Sequence, residues 1–330
     1  MPTARKDQIN LDICRHYHCI SRCVRRAFLC GYDKETQKHF DHRKLWLVDH
    51  MHWLAEVFAI QICAYTIMSN HYHIVFFVNK ELALSWAEKE VVSRWARLFP
   101  MSPAKAWLEL NIDFNNLTED QKHMIQVWRK QLYNISWFMR KLNEYIARNA
   151  NKEDECSGRF WEGRFKSQAL LDESALLACM AYVDLNPIRA GISQTPEASD
   201  FTSIQERTRA YQNKNKIPVS LCQFEDENTK NKSEYNSDDK IPFNLLDYFE
   251  LVDTTGRLVK TGKRGAIPET LSPILKRLNI KSESWVDTIA TLSQSFAGFM
   301  GRPESLEICM VQLERPRMRG LKSALKIFAG

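Results

Sequence analysis

Glycine is scarce in this chain, with 11 residues in 330. None of them falls in a GxGxxG or GxxxxGK[ST] pattern, the loops whose bare backbone cradles phosphates, so the common nucleotide-binding enzymes are excluded. No stretch reaches the ~18 consecutive apolar residues that a membrane span requires. The opening residues MPTARKDQINLD are polar, with no apolar core of a signal peptide. Cysteine is present but unordered: nine residues, an odd number without regular spacing, five of them before residue 64. A disulfide framework is not expected from such a set, and a reducing cytoplasm is. Charge of one sign is also in short supply. Lys+Arg exceed Asp+Glu by 46 − 40 = 6, a basic excess that permits a nucleic-acid partner without demanding one.

What remains is an ordinary soluble profile, 44% hydrophobic and 26% charged, which excludes a disordered chain or a coiled coil. The length suggests about two domains. Nine Trp and ten Tyr are more informative, since rings beside cations are what unstacked bases bind. Along the chain, residues 16–24 read as a strand broken after Cys30, and Asp41 reads as the N-cap of a helix carrying Leu47, Met51, Leu54 and Phe58. Residues 60–68 and 71–78 are β-rich runs separated by Ser69-Asn70, the spacing of a tight hairpin. Ser85 and Glu88 form a capping-box pattern ahead of a helix that stops before Pro100. A long helix is expected over 121–150, a polar loop over 151–157, and a short helix capped by Asp172 that ends before Pro187. Residues 212–240 read as a polar linker, and 241–330 as a smaller, mostly helical unit ending in a basic tail.

Three histidine pairs have His-x-His spacing: His16/His18, His50/His52 and His71/His73. On a helix, residues two apart are rotated by ~200°, so His50 and His52 cannot share a metal. On a strand they lie on one face ~7 Å apart, close enough to converge on a cation. His71 and His73 sit on HYHIVFFV, which reads as a central strand. Two hydrogen-bonded histidines at a strand end satisfy the same spacing. Around His16/His18 the cysteines run C-x4-C-x3-C-x6-C, which is not a usual zinc knuckle, and ordinary buried thiols fit better.

In DESALLACMAYVDLNP the apolar stripe runs through Leu176, Met180 and Val183. Tyr182 lies to one side, with small Ala178 one turn before it and Asn186 one turn after. Just upstream, GRFWEGRFK alternates cations, rings and glycines, a pattern able to hold a phosphate backbone and stack a base. It fits equally an amphipathic strand with an exposed basic face.

MSNHYH before an apolar strand, then GRFWEGRFKSQ, then YVDLNPIRAG together resemble the single-tyrosine HUH transposases, in particular the REP-associated tyrosine transposase group. The resemblance covers about residues 10–205. It implies an α+β fold, a ferredoxin-like antiparallel sheet with helices on one face, in a catalytic domain over 1–211. The helices at 80–150 enlarge the usual distance between motifs, and 241–330 matches the C-terminal extension of longer members. Carried over, His71 and His73 are metal ligands, Tyr182 is the catalytic tyrosine and Asn186 the third, polar ligand, for Mg²⁺ or Mn²⁺. The implied reaction is cleavage and rejoining of single-stranded DNA with hairpin or palindromic ends, through a 5′-phosphotyrosine. Arg22, Arg25, Arg159, Trp161, Arg164, Lys166 and Arg189 are expected to contact the DNA. Arg315, Arg317 and Arg319 of the tail are expected to clamp its backbone. A monomer or homodimer in the bacterial cytoplasm, at the nucleoid and away from membranes, completes the expectation. No general base is evident, since Asp184 is turned away from Tyr182 on the helix. A DNA-binding regulator that keeps this fold without cutting is the alternative reading. A zinc-binding interaction protein built on the Cys/His-rich N-terminal stretch is a third.

Overall fold

In a computed structural model of the chain, residues 8–24, 29–33, 37–225, 239–261, 275, 280, 282–296 and 298–328 are described. Strand β1 (His16–Arg22) is followed by a small ribbon of β2 (Tyr32–Asp33) and β3 (Lys38–His39), and by helix α1 (His42–Val57). The hairpin is formed as its spacing predicts: β4 (Ile60–Ile67) and β5 (His71–Val78) pair antiparallel, and Met68 N–H donates to the His71 carbonyl at 2.8 Å across Ser69-Asn70. Helices α2 (Lys80–Ser85), α3 (Glu88–Leu98), α4 (Pro103–Glu109), α5 (Glu119–Leu132) and α6 (Ile135–Glu153) follow, then β6 (Lys166–Leu170) and α7 (Glu173–Asp184). The sheet order is β4-β5-β1-β6-β7, where β7 (Phe299–Met300) joins parallel to β6 and the other pairings are antiparallel.

The strand–helix–strand–strand–helix–strand core thus has the expected ferredoxin-like order within an α+β architecture. One face of β5 looks to α6: the Tyr72 hydroxyl donates to Asn143 Oδ1 at 2.6 Å, and Phe76 meets Phe138 at 4.8 Å between ring centroids. The other face, carrying His73, looks to α7, so the sheet has helices on both sides. Double coverage is why β5 reads as an unbroken apolar run instead of alternating with polar residues.

Three local expectations are corrected. The helix expected over 121–150 is two helices, because Asn134 Oδ1 accepts from Ser136 N–H and Trp137 N–H and starts α6 afresh after Tyr133. Ser85 closes α2, its hydroxyl donating to the Leu82 carbonyl. Asn79 caps that helix, and α3 begins without a side-chain cap. Asp41 precedes α1 but pairs with Lys44 Nζ at 2.9 Å and makes no cap hydrogen bond. Asp172 does cap α7, accepting from Ala175 N–H at 2.9 Å.

The stretch read as a linker is partly built into the core. Leu221, Cys222 and Phe224 are buried, and Ile62 bridges to Leu221. Residues 226–238 lie outside the described residues. Beyond them α10 (Leu245–Thr261) meets α8 (Asn186–Arg189), at the foot of α7, where a Cβ on Gly256 would stand 3.1 Å from Leu185 and 3.2 Å from Ile188. At the same end Asp184 is fully buried. Its Oδ1 accepts from the Ser203 hydroxyl (2.6 Å) and Ile204 N–H (3.1 Å), the first residues of α9 (Ser203–Gln212), and its Oδ2 accepts from the Tyr248 hydroxyl (2.6 Å) on α10.

Asp184 therefore holds α7 in place relative to two later helices. Asp184→Ala leaves three buried donors without an acceptor. We expect it to lower unfolding free energy by ~3 kcal/mol or more in urea denaturation, against ~1 kcal/mol for Tyr248→Phe.

Candidate functional site

The register of β5 against β1 builds the site. Arg22 stands opposite His71, Ile20 opposite His73 and His18 opposite Val75, so His18, His71, His73 and Arg22 share one sheet face. On that face His71 and His73 have ring centroids 5.0 Å apart, the convergence their strand spacing predicts. Helix α7 lies across them and presents Tyr182, whose ring sits edge-on 5.8 Å from His73 and 6.3 Å from His18. His71 is half-buried, while His73 and Tyr182 are 3% and 6% exposed. The tyrosine is thus enclosed beside the two imidazoles.

Hydrogen bonding leaves a defined set of atoms over. His71 Nδ1 meets Asn70 Oδ1 at 2.7 Å, and His73 Nδ1 meets His18 Nε2 at 2.9 Å. His73 Nε2 is buried with no hydrogen-bond partner among the described residues. Asn186 is buried, and its Nδ2 donates to the Tyr182 carbonyl at 3.2 Å, leaving the amide oxygen as its remaining acceptor. Burial keeps His18 and His71 neutral, each lowered from 6.5 to about 4, with Arg22 adding to the effect at His71. His73 is pushed well below its ordinary value, by burial first and then by the neighbouring imidazoles, Arg189 and Arg22. Neutral imidazoles with a free nitrogen are in the form that binds a cation.

Two arginines frame the cluster. The Arg189 guanidinium lies 4.6 Å from the Tyr182 ring centroid and donates to the Ala290 carbonyl, while Arg22 is exposed beside His71. The GRFWEGRFK segment is moored at this end of β1: Val24 N–H donates to the Phe160 carbonyl, Glu162 N–H donates to the Arg22 carbonyl, and Cys23 bridges to Trp161. Exposed Arg159, Arg164 and Lys166 therefore stand near Arg22 and the histidines. Trp161 is half-buried, its N–H donating to the Asn143 carbonyl and its ring edge-on to Tyr72, which makes it a wall of the fold. Arg25 lies outside the described residues.

The tail is not a loose arm. Arg315 lies over the Phe299 ring at 5.2 Å, and Ala324, Ile327 and Phe328 of the helix Leu321–Phe328 are buried, while Arg317 and Arg319 are exposed. Deleting 311–330 would thus remove core residues along with cations.

No family model matches the sequence, and no curated protein matches it. Among solved structures the chain is similar to a REP-associated tyrosine transposase bound to a REP hairpin. The likeness has 10% identity and a TM-score of 0.35, covering 67% of this chain and 93% of that one. Overlap at this level transfers neither fold nor role, and the site stands on its own geometry.

The other histidine pairs separate as helix geometry requires. His50 stacks on Tyr145 at 3.9 Å, whereas His52 Nδ1 meets the Ser220 hydroxyl at 2.6 Å. Among the described residues no group of three or more His, Cys, Asp or Glu is arranged to hold a metal. Cys14 and Cys30 are buried thiols donating to the carbonyls of Leu170 and Met68, and burial pushes both up to about 12. No described helix is long and apolar enough to cross a membrane. His18 is the residue that sequence reasoning missed. Its spacing paired it with His16, whereas its contact is with a histidine two strand positions away on β5.

The depressed imidazoles make stability pH-dependent with a definite sign. In the unfolded chain His18, His71 and His73 take up protons from about pH 6.5; in the folded protein His18 and His71 do so only near about 4, and His73 only well below its ordinary value. Each therefore removes up to ~1.4 kcal/mol of stability per pH unit as pH falls through that window. Asp184, whose carboxyl burial pushes up to about 6, binds its proton earlier when folded and offsets about one of them. Urea midpoints measured from pH 7 to 4.5 should fall steadily. A flat profile would mean that these rings are solvated.

Proposed function

We propose that the chain is a metal-dependent DNA strand-transfer enzyme that cuts and rejoins single-stranded DNA through a covalent 5′-phosphotyrosine on Tyr182. The observation that carries this reading is the unpartnered, buried Nε2 of His73 in a cluster that also contains His71 and the Tyr182 ring. A buried polar atom without a partner is unfavourable unless a ligand meets it. His73 Nε2, a nitrogen of His71 and the amide oxygen of Asn186 would hold a divalent cation, and such a mixed N/O set suits Mn²⁺ or Mg²⁺. When bound, the cation would supply charge neutralisation and orientation of a phosphodiester.

The chain's own residues do the rest. Tyr182 Oη forms the new bond to phosphorus as the bond from phosphorus to the 3′ oxygen breaks; the phenolic proton leaves Tyr182 and a 3′-hydroxyl is released. The phosphodiester count is unchanged, so the strand can be rejoined by the reverse exchange without an external energy source. Arg189 beside the phenol and Arg22 beside His71 would receive the phosphate backbone, with Arg159, Arg164 and Lys166 extending that surface. Enclosure of Tyr182 keeps water from competing with the 3′-hydroxyl for the phosphotyrosine. Asp184 takes no part, since Ser203, Ile204 and Tyr248 occupy its oxygens.

The decisive experiment mixes the protein with a hairpin-bearing single strand and Mg²⁺ or Mn²⁺. A protein–DNA band that survives denaturing electrophoresis is expected from wild type and none from Tyr182→Phe, which removes one oxygen and almost no volume. His71→Ala and His73→Ala should each reduce cleavage by ~100-fold or more while DNA affinity, which comes mainly from phosphate contacts, changes little. Peptide mapping should place the adduct on Tyr182. An adduct on Tyr145 or Tyr133, or DNA binding without any cleavage by wild type, would reject the assignment, the latter in favour of a non-cutting regulator.

A further inference from the structure

We infer that His18 and Gln168 are positioning residues that fix His73 as the tautomer protonated on Nδ1, so that its buried Nε2 is a bare lone pair. The use of that lone pair for a cation rests on the proposed function; the tautomer itself does not.

The three residues lie side by side across three strands. β1 runs between β5 and β6, with His18 opposite Gln168 on one side and opposite Val75, two strand positions from His73, on the other. His18 and His73 are nearly parallel, 14° between planes and 5.1 Å between centroids, with His18 Nε2 and His73 Nδ1 at 2.9 Å. Two nitrogens at that distance share a single proton. Which ring owns it is decided on the far side of His18, which stands directly opposite Gln168 and is hydrogen-bonded to its side chain. With His73 Nε2 left without a partner, the consistent assignment is an imidazole N–H of His18 donating to the amide oxygen. Because His18 Nε2 is engaged with His73, the donor to Gln168 is Nδ1.

A neutral imidazole carries one N–H. With the proton of His18 on Nδ1, its Nε2 is an acceptor, and the shared proton belongs to His73 Nδ1. His73 Nε2 then carries no hydrogen. The opposite arrangement would leave an N–H on His73 Nε2, a buried donor without an acceptor among the described residues, and orphaned buried donors are rarer than unfilled lone pairs. His71 shows the same logic in simpler form, with Asn70 Oδ1 placed to accept from its Nδ1. Imidazole ligands commonly have their second nitrogen fixed by such an outer partner. Here, for His73, that partner is another imidazole, itself oriented by an amide.

Two-bond ¹H–¹⁵N correlation spectra of full-length, ¹⁵N-histidine-labelled, metal-free protein read the tautomer directly. The expected wild-type result is His73 protonated on Nδ1 and unprotonated on Nε2. His18→Ala should release that preference, and His18→Gln, whose amide oxygen can accept from His73 Nδ1, should restore it. By calorimetry, His18→Ala should weaken Mn²⁺ binding by ~10–100-fold at unchanged stoichiometry, with most of the loss recovered in His18→Gln. A proton on His73 Nε2 in wild type overturns the inference. So does His18→Ala with unchanged tautomer and Mn²⁺ affinity, or with Mn²⁺ binding abolished as in His71→Ala, which would make His18 a ligand. If His18→Ala fails to fold, the wild-type spectrum and Gln168→Leu decide. Wild type that binds no Mn²⁺ overturns the cation of the proposed function, while the tautomer is still read without metal.

Discussion

The antiparallel register of β5 against β1 is the constraint on which the site depends. Strand side chains alternate, so a slip of one residue would send His71 and His73 towards α6 and bring Tyr72, Ile74 and Phe76 beneath α7. Both faces resist the slip. On one, Tyr72, Asn143 and Ser21 are joined by hydrogen bonds of 2.6 and 3.0 Å; on the other, the imidazoles meet each other and Tyr182. A pleated strand held from both sides presents its two histidines with little freedom, and such pre-arrangement suits a site where charge must be met without reorganisation.

The tyrosine helix is fixed at both ends. Asp172 begins α7 as its cap and also accepts from Arg302 N–H at 2.6 Å, while Asp184 ends it by gathering donors from α9 and α10. The two carboxylates set the helix along its own axis, and the sheet sets its height. These contacts hold Tyr182 from outside the phenol, whose ring itself meets His73, His18 and Arg189.

Much of this was legible in the sequence because it is local. HYHIVFFV is apolar and β-rich over a full strand, the two-residue gap before it dictates a hairpin, and period two puts His71 and His73 together. The placement of Tyr182 beside them was expected only through the resemblance carried by the motifs, since nothing in helix periodicity says which strand a helix will cover. His18 and Gln168 were invisible for a related reason: their meeting with His73 depends on register across three strands, and spacing along the chain carries no such information. Asn134 was a legible cap overlooked because the apolar stripe continues through it. The burial of Leu221 and Phe224 was masked by the polar residues around them, and β7, two residues long, offers no period to read.

The pairing of β7 with β6 has a consequence for biosynthesis. Phe299 and Met300 lie beside Ala169 and Leu170, and the bond from Arg302 to Asp172 spans 130 positions. While the chain is being made, the outer edge of β6 stays unpaired until Phe299 and Met300 have left the ribosome. An open strand edge next to apolar residues is prone to pair with another chain, and long-range closure is slow. Truncated translation products would therefore retain the histidines and the tyrosine yet expose a sticky margin, a composition suited to aggregation and clearance.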